Sequence, residues 1–205
     1  MNENNSIKRN YSRFNLKDAM QLIPATVFVL WSFDYSLRVA SRNLLHNLSN
    51  LEAFDLKTSE AAKVLMMDLI FAEIVPSFDN LRIWKEVILS TDSLTGTADY
   101  LIAPKRAYLE TPLLCVAEAK RDNFERGVAQ CITEMVACAQ NNEAQERFSD
   151  ILGIVSNGNT WQFYKLTQSK DIFVSGQFSI SELPKLLGAL EYIFAECANN
   201  VPPSA

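Results

Sequence analysis

Apolar residues recur along this chain with two periods, and the changes of period mark out its elements. Residues 58–75 carry Val64, Leu65, Met66, Met67, Leu69, Ile70 and Phe71 around most of a helical circumference, which predicts a largely buried helix. Thr58 or Ser59 stands where its N-cap belongs, and Pro76 ends it. Glu60, Val64, Met67 and Phe71 follow i, i+4, i+7, i+11 and share one face. Over residues 81–89 the pattern becomes alternation: Leu81, Ile83, Lys85 and Val87 against Arg82, Trp84, Glu86 and Ile88. That reads as a strand suited to a sheet edge. Further strands are expected at 100–103 and 112–119, with Pro112 tolerated at the opening position. Residues 113–117 are continuously apolar, so this strand is central and covered on both faces.

Helical spacing returns at 124–139, after a cap at Asp122 or Asn123. Phe124, Val128, Cys131, Ile132, Met135 and Ala139 make the apolar face, which puts Arg126, Gln130 and Glu134 on the opposite one. Strands follow at 151–156 and 160–166, joined by an Asn157-Gly158 turn signal, with a short strand at 171–175. Ser181 caps a final amphipathic helix, interrupted or entered late because of Pro184 and running to about residue 198. The expected fold class is α/β: a three-layer α/β/α core with a central mixed sheet and helices on both faces.

The first 55 residues are less regular. Residues 1–15 are polar and read as a flexible arm whose Lys8, Arg9 and Arg13 either contact phosphate or sit in a solvated tail. A short helix is expected at 15–23, a β-rich apolar run at 25–32 and helical spacing over 35–51. Residues 1–55 are expected to form an arm and a mainly helical N-terminal elaboration. The main domain is placed at 56–198 and a disordered tail at 199–205.

Composition narrows the picture modestly. With 205 residues, 48% hydrophobic and 21% charged, the chain has the profile of a globular protein with one sizeable core. A formal net charge of −5 argues against a broad nucleic-acid surface but leaves room for a local one. The four cysteines include no C-x-x-C pair and there is one histidine, His46, so a structural zinc site lacks its usual spacing. The cysteines read as buried thiols in a reducing compartment. No apolar h-region opens the chain and the run 22–31 is too short to span a bilayer, so a cytoplasmic protein without a membrane segment is expected.

The candidate chemistry lies in residues 96–130. Eighteen residues separate Asp99 from Glu118, enough for two short neighbouring strands and a loop. Glu118 and Lys120 project to one face of their strand, while the Ala119 carbonyl can turn towards a shared metal. Two carboxylates and a carbonyl suit a hard cation such as Mg²⁺. A lysine beside them can hold an attacking hydroxide or stabilise charge developing on phosphorus.

Residues 96–100 (GTADY) and 112–120 (PLLCVAEAK) resemble the second and third motifs of the PD-(D/E)XK nuclease superfamily. Glu60 matches the place of the first motif. Residues 127–130 (GVAQ) and 153–163 (GIVSNGNTWQF) are similar to the branch containing the N-terminal domain of type I restriction enzyme R subunits. The resemblance covers residues 58–166. It implies a restriction-endonuclease-like fold and Mg²⁺-dependent hydrolysis of DNA, less readily RNA, with Mn²⁺ as substitute. Asp99, Glu118 and the Ala119 carbonyl would be metal ligands and Lys120 the catalytic lysine. Glu60 would be an accessory ligand or water-binder, and Gln130 would orient Lys120 or a water.

The alternative is a nuclease-fold protein without turnover, acting as a binding or regulatory module. A nuclease this small would have little room for its own specificity domain, which suggests a homodimer or a separate DNA-recognition subunit. Trp84 and Trp161 can either stack on bases or pack in the core.

Overall fold

Among the described residues of the computed structural model, which are 8–54, 60–120 and 124–203, eight strands form one mixed sheet packed against helices. The elements are β1 (Arg9–Asn10), α1 (Leu16–Met20), β2 (Val29–Trp31), α2 (Arg42–Asn50), α3 (Glu60–Ile74), β3 (Leu81–Ser90), β4 (Leu94–Pro104) and β5 (Cys115–Ala119). They continue with α4 (Phe124–Glu143), β6 (Ile151–Ser156), β7 (Thr160–Leu166), β8 (Ile172–Ser179) and α5 (Leu183–Asn199). The sheet order is β1-β4-β5-β6-β7-β8-β2, with β3 also antiparallel to β4. Strand β5 runs antiparallel to β4 and parallel to β6, and α4 makes the crossover between β5 and β6.

Strand β5 is central because its side chains suit burial on both faces. Val116 joins a core with α4, whereas Cys115, Ala117 and Ala119 join a second core with α3 and α5. The strand starts three residues later than expected. Leu113 lies outside it because the buried Asn142 side chain holds its main chain, accepting its N–H at 2.7 Å and donating to its carbonyl at 2.9 Å.

Strand β3 does not keep one inward face. Leu81 and Ile83 pack with the α3–α5 core, yet Val87 and Leu89 pack with the α4 core. Glu86 lies between them with φ of 51°, in left-handed backbone, and this kink reverses which face the odd-numbered residues meet. On β4, Ala98 and Tyr100 divide between the same two cores.

The N-terminal segment departs most from expectation. Residues 8–15 are bound into the fold, not a free arm: β1 pairs parallel with β4, and Tyr11 and Phe14 are buried. The Tyr11 hydroxyl donates to the Leu89 carbonyl at 2.8 Å, and the Arg9 guanidinium pairs with Asp18 and lies over the Phe14 ring. Strand β2 covers only three residues of the run at 25–32, but it forms the opposite edge of the sheet, parallel to β8. Helix α2 is shorter than its apolar spacing predicts because Phe33 and Tyr35 enter an aromatic cluster; Phe33 stacks on Tyr192 at 4.5 Å. Ser41 is its cap, accepting the Leu44 N–H at 3.1 Å.

Helix α5 is entered through a 3-10 turn at 180–182, whose cap is Ser179 rather than Ser181. Strand β8 extends to Ser179, beyond the stretch expected at 171–175. Trp161 is fully buried against Phe71, which removes it as a base-stacking platform. The caps assigned to Thr58 or Ser59 and to Asp122 or Asn123 lie outside the described residues, as does the side chain of Glu60. Among the described residues no helix is long and apolar enough to cross a membrane.

Candidate functional site

The site forms where β4 and β5 run side by side before the chain turns into α4. The register pairs Tyr100 with Ala117, and extending it by one position sets Asp99 opposite Glu118. Asp99 Oδ2 accepts the Ala119 N–H at 2.9 Å, so this carboxylate is held against the end of β5. Glu118 is fully buried, on the α4 side of the sheet with Val116. Lys120 follows directly after the strand, its N–H donating to the Ser156 carbonyl at 2.8 Å. Its side chain is 15% exposed and its Nζ lies 2.5 Å from Glu118 Oε1. Asp99, Glu118 and Lys120 are thus brought together, as their spacing suggested.

Helix α4 closes the site from above. A Cβ on Gly127 would lie 2.7 Å from Lys120 Cγ and 3.1 Å from Val155 Cγ1, so only glycine lets the helix start this near the lysine stem. Gln130 is not on a solvent face. It is buried, and its Nε2 donates to Glu134 Oε1 at 3.0 Å. The hydrogen bond recorded for its amide is therefore to Glu134 rather than to Lys120. The physical reason lies far away in sequence: Tyr11, Phe14 and Ala19 join the α4 core and cover the helix where the sheet does not.

Glu134 is the functional candidate that sequence reasoning missed. It is fully buried, and its Oε2 has no hydrogen-bond partner among the described residues. Burial raises its pKa well above the ordinary carboxylate value, and the neighbouring Glu118 and then Asp99 carboxylates raise it further. The Gln130 amide and Lys120 act in the opposite direction without cancelling this. A signal was available. Cys131 and Cys138 are seven residues apart and share a helix face, and Glu134 lies between them at i+3, with Gly127 on the same stripe. The thiols of Cys115, Cys131 and Cys138 are themselves held protonated, chiefly by burial, and have no nucleophilic character.

The donors available to a metal are the Asp99 and Glu118 carboxylates and the peptide at Ala119. All are hard oxygens, so their chemistry fits Mg²⁺ or Mn²⁺ and not a thiophilic ion. Among the described residues, no group of three or more His, Cys, Asp or Glu side chains stands in a metal-holding arrangement. A cation here would therefore need to complete its shell with water or substrate oxygens, as Mg²⁺ commonly does. Glu60 opens α3, on the α3–α5 side of the sheet. No protein-family model matches the chain, and no curated protein sequence matches it.

Proposed function

We propose that this chain is a metal-dependent nuclease of the PD-(D/E)XK type, hydrolysing phosphodiester bonds of DNA and less readily of RNA. One observation carries the reading: Asp99, Glu118 and Lys120 converge at the ends of two adjacent antiparallel strands, with Asp99 Oδ2 2.9 Å from the Ala119 nitrogen and Lys120 Nζ 2.5 Å from Glu118 Oε1. The strand-helix-strand crossover from β5 through α4 to β6, with Gly127 against the lysine stem, supports a restriction-endonuclease-like core.

In this reading Asp99, Glu118 and the Ala119 carbonyl would hold Mg²⁺, which would supply charge neutralisation at the phosphate and lower the pKa of a water. Lys120 holds the attacking oxygen and offers positive charge to the phosphoryl oxygens. Glu118 keeps the ammonium in place, and Gly127 keeps the lysine stem down. Glu60 is the accessory carboxylate at the head of α3. Gln130 orients Glu134 and so shapes the wall beside Glu118.

The test is a cleavage assay on plasmid and single-stranded DNA with Mg²⁺ or Mn²⁺, comparing wild type with Lys120→Ala and Asp99→Ala. Either substitution is expected to cost about 10²-fold or more in rate. If the three proteins behave alike, the enzyme reading is lost. The complete burial of Glu118 behind its ion pair favours one second reading, a nuclease-fold binding module without turnover. Nucleic-acid binding by a wild type that cleaves nothing would select it.

A further inference from the structure

We propose that the cavity between residues 12–16 and the start of α4 binds a backbone phosphate of a nucleic-acid strand passing through the site. This subsite rests on the nuclease reading above. The cavity has a volume of about 540 Å³ and is lined by Ser12, Arg13, Asn15, Glu125 and Arg126 among others. That volume lies within the range of ligand-binding clefts. Its two guanidiniums come from distant parts of the sequence. Arg126 reaches across to donate to the Ser12 carbonyl at 3.0 Å, which pins one wall to the other.

Arg13 is the group left to act. It is exposed, and its guanidinium has no hydrogen-bond or ion-pair partner among the described residues. Its neighbours are committed elsewhere: Lys8 donates to Ser90 Oγ and Arg9 pairs with Asp18. Among the described lining residues, Arg13 and Arg126 carry positive charge and Glu125 negative charge. Residues 8–17 supply Lys8, Arg9, Arg13 and Lys17 with no acid among them. Buried Tyr11 and Phe14 flank Arg13 and fix the backbone of this basic stretch, so the arginine is presented from an ordered main chain.

The position suits a substrate subsite. Arg126 is the residue before Gly127, and Gly127 touches the stem of Lys120. The cavity therefore lies at the end of α4 where the candidate catalytic lysine is. A strand whose scissile phosphate met Lys120 would carry a neighbouring phosphate past Arg126 towards Arg13. Arginine suits this role because its planar fork bonds two phosphate oxygens at once.

Fluorescence anisotropy of a labelled oligonucleotide, in EDTA so that nothing is cleaved, tests the subsite across a salt series. Arg13→Glu and Arg13→Ala are compared with Arg13→Lys, with thermal unfolding as the control for folding. The expected result is about five- to tenfold weaker binding for Arg13→Ala, more for Arg13→Glu, and partial retention by Arg13→Lys. The slope of log K against log salt should fall by about 1 in Arg13→Ala. Wild-type affinity and slope in Arg13→Glu would overturn the proposal, and so would no binding by wild type. Inorganic phosphate that competes at equal phosphate concentration as well as the oligonucleotide would assign a free-phosphate site and overturn it too. Failure of the nuclease reading looks different: Arg13 variants weaken binding, but wild type with Mg²⁺ cleaves nothing.

Discussion

Replacing Glu134 by glutamine removes one titrating proton from the core while keeping shape and the hydrogen bond from Gln130, since an amide oxygen can accept where Oε1 does. The wild-type carboxyl is fully buried, and burial and its neighbours raise its pKa well above the usual value. Below the unfolded-state pKa both states carry the proton and pH does not matter. Above it the unfolded chain releases the proton and the folded one keeps it, so stability is lost as pH rises towards the folded pKa. The slope is about 1.4 kcal/mol per pH unit wherever the pH lies between the unfolded and the folded pKa. For a chain of this size each such pH unit is about 3–6 °C in Tm. The groups facing Glu134 are Glu118, Asp99 and Lys120 from the sheet side, Gln130, Cys131 and Cys138 on its own helix, and Tyr11 from the N-terminal segment. Glu118 is the strongest of the charged neighbours. Urea unfolding at pH 5, 6 and 7 should show Glu134→Gln gaining on wild type as the pH rises. A difference between the two proteins that is the same at pH 5 and pH 7 would refute the buried, protonated carboxyl.

The parts of this fold that were legible in the sequence are those whose cause is local. Strand β5 follows from five apolar residues in a row, α3 from apolar residues around a full circumference, and the Asp99–Glu118–Lys120 cluster from strand alternation and one loop. What was not legible depends on distant partners. Strands β1 and β2 are too short to show a period, and they exist because β4 and β8 have edges to fill. The polar stripe of Gln130 and Glu134 looked solvated because nothing near it in sequence shows that Tyr11 and Phe14 will cover α4. The reversal of faces in β3 turns on a positive φ at Glu86, where a glycine or asparagine would have been the visible sign. The helix expected over 35–51 lost its first turns to aromatic contacts with Phe178 and Tyr192, all of them remote in sequence.

Asn142→Ala strips both hydrogen bonds from the Leu113 main chain, leaving a buried N–H and C=O unpaired at the entrance to β5. The cost should be about 3 kcal/mol, read as a fall in Tm of about 6–12 °C; a loss under about 1 kcal/mol would sink the idea that this side chain replaces strand pairing. Gly188→Ala would put a Cβ 2.0 Å from the Ser36 carbonyl oxygen, a clash with backbone that side-chain motion cannot relieve. It should destabilise by about 2–3 kcal/mol although alanine favours helix, and an unchanged or raised Tm would show that α5 moves freely from the 32–41 segment. Deleting residues 1–20 tests whether the N-terminal segment is an appendage. It removes buried Tyr11, Phe14 and Ala19 together with β1, at about 1.5–3 kcal/mol for each aromatic side chain before any cavity is counted. It also opens the Gln130–Glu134 pair to water, and a hydrated Glu134 ionises next to Glu118. Those losses approach the whole stability of an ordinary domain. The truncated chain should therefore lose its near-UV circular dichroism and its cooperative thermal transition. A sharp transition at the wild-type Tm would instead establish that the α4 core closes by itself and that the region resembling the nuclease motifs folds without the residues before it.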